Sequence, residues 1–229
     1  MGTYTFDFGF LFARGRDILE GIVVTLQLAL AANAIGVVFG FGVCLLLMSR
    51  WRLLRLPARA FVEIFRCTPA LLQIVWIFYC VPILFDVFID PIPMGILALG
   101  LNLIAFNAEA YRAGVQAVPR EQLDACVALG LARWQRTVYV VLPQAVRIAT
   151  PVLITNGIGI LQQSALVAIV AVGDLMTVGR DLASQSFRPI ETYTLVALIY
   201  LLLSLPVAKL AAAIERRQDR ADTRAGVTP

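Results

Sequence analysis

Five stretches of this chain contain no Asp, Glu, Lys or Arg: Gly21 to Ser49, Cys67 to Phe85, Pro91 to Ala108, Ile148 to Gly173 and Thr192 to Ala208, which are 29, 19, 18, 26 and 17 residues long. A helix needs about 17–25 apolar residues to cross the hydrocarbon core of a bilayer, where its backbone polar groups must be paired internally. An all-α polytopic membrane protein with five transmembrane helices is therefore expected. Composition agrees: 60% of the 229 residues are hydrophobic and the mean hydropathy is +0.83, well above the soluble range. The first run is too long for a signal-peptide core and has no clear small-residue cleavage site behind it, so it reads as a retained helix. With flanking residues the spans fall at about 21–49, 60–85, 91–109, 148–173 and 192–210, between an N-terminal segment (1–20) and a tail (213–229).

Charge in the connecting segments sets an expected orientation. Arg50, Arg52, Arg55, Arg59 and Arg66 lie between the first two spans, and Arg112, Arg120, Arg133, Arg136 and Arg147 between the third and fourth. Lys209, Arg216, Arg217, Arg220 and Arg224 follow the fifth. These segments hold fifteen cations against seven acids, while the opposite set holds four cations against eight acids. Cations near span ends stay on the cytoplasmic side, so the N-terminus is expected outside, in a periplasm, and the C-terminus in the cytoplasm. The same rule accounts for the basic balance without nucleic acid as a partner.

Several chemistries are excluded by what the chain lacks. It contains no His, so His-ligated zinc, His-based triads and histidine pH switches are out of reach. Lys209 is its single Lys and no GxxxxGK[ST] occurs, so the chain carries no P-loop for a nucleotide. Cys44, Cys67, Cys80 and Cys126 show no metal-ligand spacing and read as packing residues or free thiols. No catalytic residue, metal site or cofactor of its own is expected.

The span cores also lack the carboxylates and bases that proton relays place there. They hold uncharged polar groups instead: Gln27 and Asn33 in the first, Gln73 in the second, Asn102 and Asn107 in the third, and Thr155, Asn156, Gln162, Gln163 and Ser164 in the fourth. Each amide on its own reads first as interhelical glue. As a group, the fourth span combines its polar side chains with Pro151, Gly157 and Gly159, and broken backbone at membrane depth is tolerated only in a protein interior or beside a cavity. It is expected to line a solute path, with Gln73, Asn102, Asn156, Gln162, Gln163 and Ser164 as candidate path residues.

The connection Glu109 to Arg147 is far longer than a helical hairpin requires, and long ordered loops are usually functional or have their own secondary structure. Two short helices are legible in it. Pro119 suits a first helical position, Leu123, Cys126 and Val127 recur at helical spacing, and Gly130 stands where a left-handed cap belongs. A second helix over 132–141 places Trp134 and Val138 on one side, before Pro143 interrupts it. Periodicity leaves two readings of this amphipathic hairpin open: it lies on the membrane surface, or its apolar ridge enters a groove of a cytoplasmic partner. Glu109 and Arg112, at i and i+3, are expected to pair at the cytoplasmic mouth.

Asp124-Ala125-Cys126, Gly130, and then Val140-Val141-Leu142-Pro143 resemble the EAA loop of the permease subunits of bacterial ABC importers. The spacing of that loop is kept throughout, with Asp for Glu, Cys for the second Ala and Val for Ile. The stretches 109–131 and 141–156, and FRCTPALLQ at 65–73, resemble the polar amino-acid uptake permeases, among them the histidine, glutamine, arginine and opine systems. The resemblance runs over 21–212. One departure stands in the fourth span, where Gln162-Gln163-Ser164-Ala165-Leu166 replaces a Lys-containing stretch.

This resemblance implies a type I ABC importer transmembrane domain in the inner membrane. It implies a second permease subunit of the same or a homologous chain, an ATP-binding subunit that holds ATP and Mg, and a periplasmic solute-binding protein. Loop 110–147 would then couple to the ATPase through Leu123, Asp124, Ala125, Cys126, Val127, Gly130, Leu131, Leu142 and Pro143, with Leu123, Cys126, Val127 and Leu131 facing the partner. Asp86, Asp90 and a short surface helix over Asp174 to Glu191 would face the binding protein, though acidic outer charge fits plain solvation equally well. The tail is expected to be flexible. The competing reading is a stand-alone secondary transporter or channel for a small polar solute.

Overall fold

The computed structural model describes residues 6, 7, 9–87 and 89–224, with the side chains of 11, 12 and 219–224 excepted. What was expected of 1–5, of 225–229 and of Phe8 and Phe88 lies outside the described residues. Among the described residues the α-helices are α1 (Gly9–Ala13), α2 (Gly15–Leu47), α3 (Arg52–Cys67), α4 (Ala70–Phe85), α5 (Pro91–Gln116), α6 (Arg120–Ala128), α7 (Arg133–Arg136), α8 (Leu142–Gln163), α9 (Leu175–Ser186) and α10 (Pro189–Arg224). Among the described residues, four helical stretches are long and apolar enough to cross a membrane: α2, α5, the run 133–170 and α10. The bent pair α3 and α4 makes a fifth crossing when taken as one span.

α5 sits at the centre, packed against α2, α3, α4 and α8. Its closest neighbour is α2, whose Ala29, Ala32, Gly36, Gly40 and Cys44 recur at helical spacing and are all buried. Lipid supplies no hydrophobic force between helices, so close backbone approach through small residues is what makes such a seam stable. At Gly40 the approach is tight: a Cβ there would stand 2.8 Å from Asn107 Cβ and 3.3 Å from the Ala108 amide nitrogen. Leu28, Ile74, Met94, Leu99, Leu103 and Ile160 close the main core around this seam.

The stretch 60–85, expected as one span, is not one helix. α3 ends at Cys67 and α4 starts at Ala70, with a bend of 112° between them. Pro69 cannot donate to a continuing helix and drives Thr68 into extended backbone, φ −109° and ψ 145°. The carbonyls freed at the bend are met by side chains. Gln73 Nε2 donates to the Phe65 carbonyl (2.8 Å), the Thr68 carbonyl (3.0 Å) and Thr68 Oγ1 (2.7 Å). Asn102 Nδ2 on α5 then donates to Gln73 Oε1 at 2.9 Å, so the bend is bolted to the central helix.

The fourth span also departs from expectation. The second hairpin helix, expected to stop before Pro143, runs on into it: α7 passes through a π-helical turn, Thr137–Val141, into α8. The wider turn accommodates a proline that has no N–H and would otherwise crowd the carbonyl four residues earlier. Nor does the helix break at Pro151, Gly157 or Gly159, all of which lie within α8. Pro151 leaves the Arg147 carbonyl without a helical donor, and Gln218 Nε2 of α10 supplies one at 2.7 Å. The change of geometry comes at Ser164–Val170, a 3-10 helix that ends in left-handed Ala171 and Gly173.

Beyond that turn Asp174 caps α9. Its carboxylate accepts from the Thr177 amide (3.1 Å), the Met176 amide (3.1 Å) and Thr177 Oγ1 (2.6 Å), while the Leu175 amide donates to Thr25 Oγ1 on α2 at 3.0 Å. Asp174 and Glu191 were expected on an outward-facing surface, yet both are fully buried. Glu191 is held by Arg188 at 3.1 Å and accepts the Asp7 amide at 3.2 Å. The tail departs too: residues 213–224 continue α10 rather than forming a flexible end.

Two substitutions test this packing. Gly40→Leu drives a side chain into the α2–α5 seam and is expected to lower stability by about 1–3 kcal/mol, the usual range for overpacking. Gln73→Leu orphans the carbonyls at the bend and is expected to cost about 1–3 kcal/mol. Each is read as a lowered midpoint of thermal unfolding in detergent, and unchanged midpoints would contradict the packing described.

Candidate functional site

The link between α5 and α8 is a compact helical hairpin. Pro119 stands at the N-cap of α6, with φ −59° and ψ 138°, one position before the helix rather than as its first residue. At the other end the Leu131 amide donates to the Cys126 carbonyl (3.0 Å) and the Gly130 amide to the Val127 carbonyl (2.9 Å). This paired pattern is the Schellman motif, and it requires a left-handed residue at position 130, where Gly130 has φ +71°. A Cβ at Gly130 would meet nothing within 4 Å, so the demand on this position is conformational, not steric crowding.

The hairpin is anchored from behind. Cys126 is 5% exposed and faces inward, so it supports α6 and cannot be a partner contact, contrary to expectation. Gln144 Nε2 on α8 donates to Gln122 Oε1 on α6 at 2.7 Å. Leu123, Leu131 and Leu142 are half-buried, whereas Asp124, Ala125, Val127 and Pro143 are exposed. The outward apolar surface is made by Val127, Leu129, Trp134, Val138 and Tyr139, with Leu129 at 78% exposure, and the Trp134 and Tyr139 rings lie 5.8 Å apart. Leu129, the C-cap residue of α6, is a contact that helical spacing missed. A cavity of about 670 Å³ separates the hairpin from the foot of α2, lined by Leu45, Met48, Leu123, Asp124, Arg136 and Leu142 among others.

The six candidate path residues do not converge on one point. Gln73 and Asn102 are consumed in bracing the α3–α4 bend. Asn156 Nδ2 donates to Asn107 Oδ1 (3.0 Å), joining α8 to α5, and Asn33 Nδ2 donates to the Gly157 carbonyl (3.4 Å), joining α2 to α8. Two helical turns along α8, about 10 Å away, Ser164 is buried with its hydroxyl on the Leu161 carbonyl at 2.7 Å. Gln162 is exposed there, and Gln163 Oε1 is buried with no hydrogen-bond partner among the described residues.

Glu109 and Arg112 do meet, at the Arg-rich end of α5. The guanidinium Nη2 lies 2.6 Å from Glu109 Oε2, and Nε donates to both carboxylate oxygens at 3.1 Å. Arg66 of α3 joins them, 3.7 Å from Glu109. Only the bend at Thr68 brings Arg66 here, so sequence spacing held no sign of it.

Comparison with known proteins places this architecture. The chain is 34% identical over 232 aligned positions to the octopine transport system permease protein OccM of Rhizobium radiobacter, covering 95% of each chain. It is 30% identical over 200 positions to the arginine transport system permease protein ArtQ of Bacillus subtilis (strain 168), covering 87% of this chain and 91% of that one. A chain from a crystal structure of an amino acid ABC transporter with histidines superposes with a TM-score of 0.88 at 33% identity, over 93% of this chain and all of that one. The fold is thus that of an ABC transporter permease domain. A family profile described as the inner membrane component of binding-protein-dependent transport systems matches residues 32–220, and the chain belongs to that family.

Proposed function

We propose that this membrane permease passes a polar amino acid or related opine across the inner membrane, driven by ATP hydrolysis on a separate ATP-binding subunit that holds ATP and Mg. The observation that carries this reading is the hairpin: a capped, internally braced knob that presents five apolar side chains outward between two membrane helices. Such a ridge suits the helix-in-groove mode of a protein partner. The relatives named for octopine and arginine transport support the substrate class. A solute-binding protein delivers the solute, and a second permease chain, the same or homologous, completes the membrane pair.

The Arg-rich ends of the helices lie in the cytoplasm, with the N-terminus periplasmic, by the distribution of cations. ATP-driven closure of the ATPase pair pulls on Val127, Leu129, Trp134 and their neighbours, and the hairpin passes that displacement to α5 and α8. Gln162 and Gln163 are the path residues whose amides are not used up in bracing, so they are the groups on α8 that meet the solute.

Gly130 tests the coupling because its Cβ has room and only its backbone is special. Forcing a β-branched residue into left-handed backbone costs about 1–3 kcal/mol. In the reconstituted complex, Gly130→Val is expected to reduce uptake about tenfold or more and to abolish stimulation of ATP hydrolysis by the loaded binding protein. Gly130→Asn, which tolerates that backbone, retains most of both. Normal uptake and stimulation in Gly130→Val would overturn the coupling role.

A further inference from the structure

α3 differs in kind from the helices around it. Its charged residues Arg52, Arg55, Arg59, Glu63 and Arg66 fall on one side of the helix at 3.6 residues per turn, while Ala58 and Val62 beside them are buried. The remaining faces are apolar and exposed: Leu53 is 84% exposed, Leu56 62% and Ile64 59%, with Trp51 leading in at 61%. A helix with one cationic edge and a broad apolar surface suits the plane of a bilayer interface, with the apolar side toward the acyl chains and the charges toward the headgroups. The 112° bend at Thr68 is what sets α3 apart from the direction of α4.

A cavity of about 310 Å³ opens along this charged edge, between α3, the C-terminal end of α2 at Leu47, and Glu109 and Arg112 of α5. It is lined by Arg55, Arg59, Arg66 and Arg112 against Glu63 and Glu109, over an apolar floor of Leu47 and Val62. Both carboxylates are already taken: Glu63 by Arg59 at 2.9 Å, and Glu109 by Arg112 and Arg66. Arg55 has no carboxylate partner among the described residues, and four guanidiniums against two carboxylates leave two positive charges uncompensated. A surplus of cations around a small space with an apolar floor, beside an exposed apolar helix face, matches a phosphate with attached acyl chains better than a solvated anion.

We propose that this cavity is a binding site for the phosphodiester of an anionic phospholipid, with Arg55 and Arg59 as its main ligands and Arg66 beside them. The acyl chains of that lipid run along the exposed Leu53, Leu56 and Ile64 face. The lipid thereby pins α3 to the membrane surface at the outer edge of the Glu109 and Arg112 pair. Arg55 is the cleaner position to remove, since its loss orphans no carboxylate.

The test uses the purified full chain in nanodiscs of phosphatidylcholine containing a minor fraction of phosphatidylglycerol, with retained lipids counted by native mass spectrometry after release. The wild-type chain is expected to keep phosphatidylglycerol well above its share of the bilayer. Arg55→Gln is expected to cut that enrichment about fivefold, the effect of one cation near an anionic surface. Arg59→Gln does likewise, while the double variant Arg216→Gln, Arg217→Gln on α10 retains it. Addition of millimolar inorganic phosphate leaves the enrichment in place. Equal retention of both lipids by the wild-type chain, unchanged enrichment in Arg55→Gln and Arg59→Gln, or displacement by inorganic phosphate would each overturn the assignment; the last would identify a site for free phosphate.

Discussion

A peptide group inside hydrocarbon has no water to turn to, so every interruption of a membrane helix must be met by another donor or acceptor of the protein. At three places, the α3–α4 bend, Pro151 and the start of α9, helical backbone groups lose their helical partner, and a side chain meets each of them. Gln73 takes the carbonyls freed at the α3–α4 bend and is itself held by Asn102. Gln218 takes the carbonyl that Pro151 leaves open. Asp174 takes the first amides of α9 after the turn at Ala171 and Gly173. Two of these repairs cross between distant elements, so the polar requirement of the backbone also fixes how the helices sit.

The functional consequence follows from where the hairpin is inserted. It joins the two ends of α5 and α8 that the Asn107–Asn156 bond and the Cys44, Tyr111 and Ala149 cluster already hold together. Its inner side is seated by Cys126 and by the Gln122–Gln144 bond, while its outer side is apolar and exposed among the described residues. In the proposed mechanism a load applied to Leu129 or Trp134 would reach both helices together and, through the small-residue seam, α2. On that proposal, a chain without a nucleotide motif would be driven by a partner that never enters the membrane.

Much of this was legible in the sequence because the membrane imposes a coarse rule. Runs free of charge located α2, α5, α8 and α10, and Gly130 announced the cap of α6. The failures share a cause as well. The stretch 60–85 is apolar enough for one span, yet a single proline turned it through 112°, and composition does not record direction. Pro143 and Pro151 carry the same residue type but sit inside continuous helix, because a π-helical turn and a donor 67 positions beyond Pro151 absorb them. Asp174 and Glu191 looked like surface acids although Thr177 and Arg188 stand three residues from them, because the segments packed around these two sites, Thr25 on α2 and Asp7, come from far along the chain. The candidate path residues were chosen for polarity alone, and four of the six spend that polarity on the protein itself.

The most direct measurement places a photoreactive amino acid at Leu129 in the assembled transporter and identifies what it captures on irradiation in intact membranes. A passive gate worked from the cytoplasm through the hairpin predicts an adduct with the ATP-binding subunit. Capture of the periplasmic solute-binding protein, or of lipid alone with the complex otherwise intact, would contradict it.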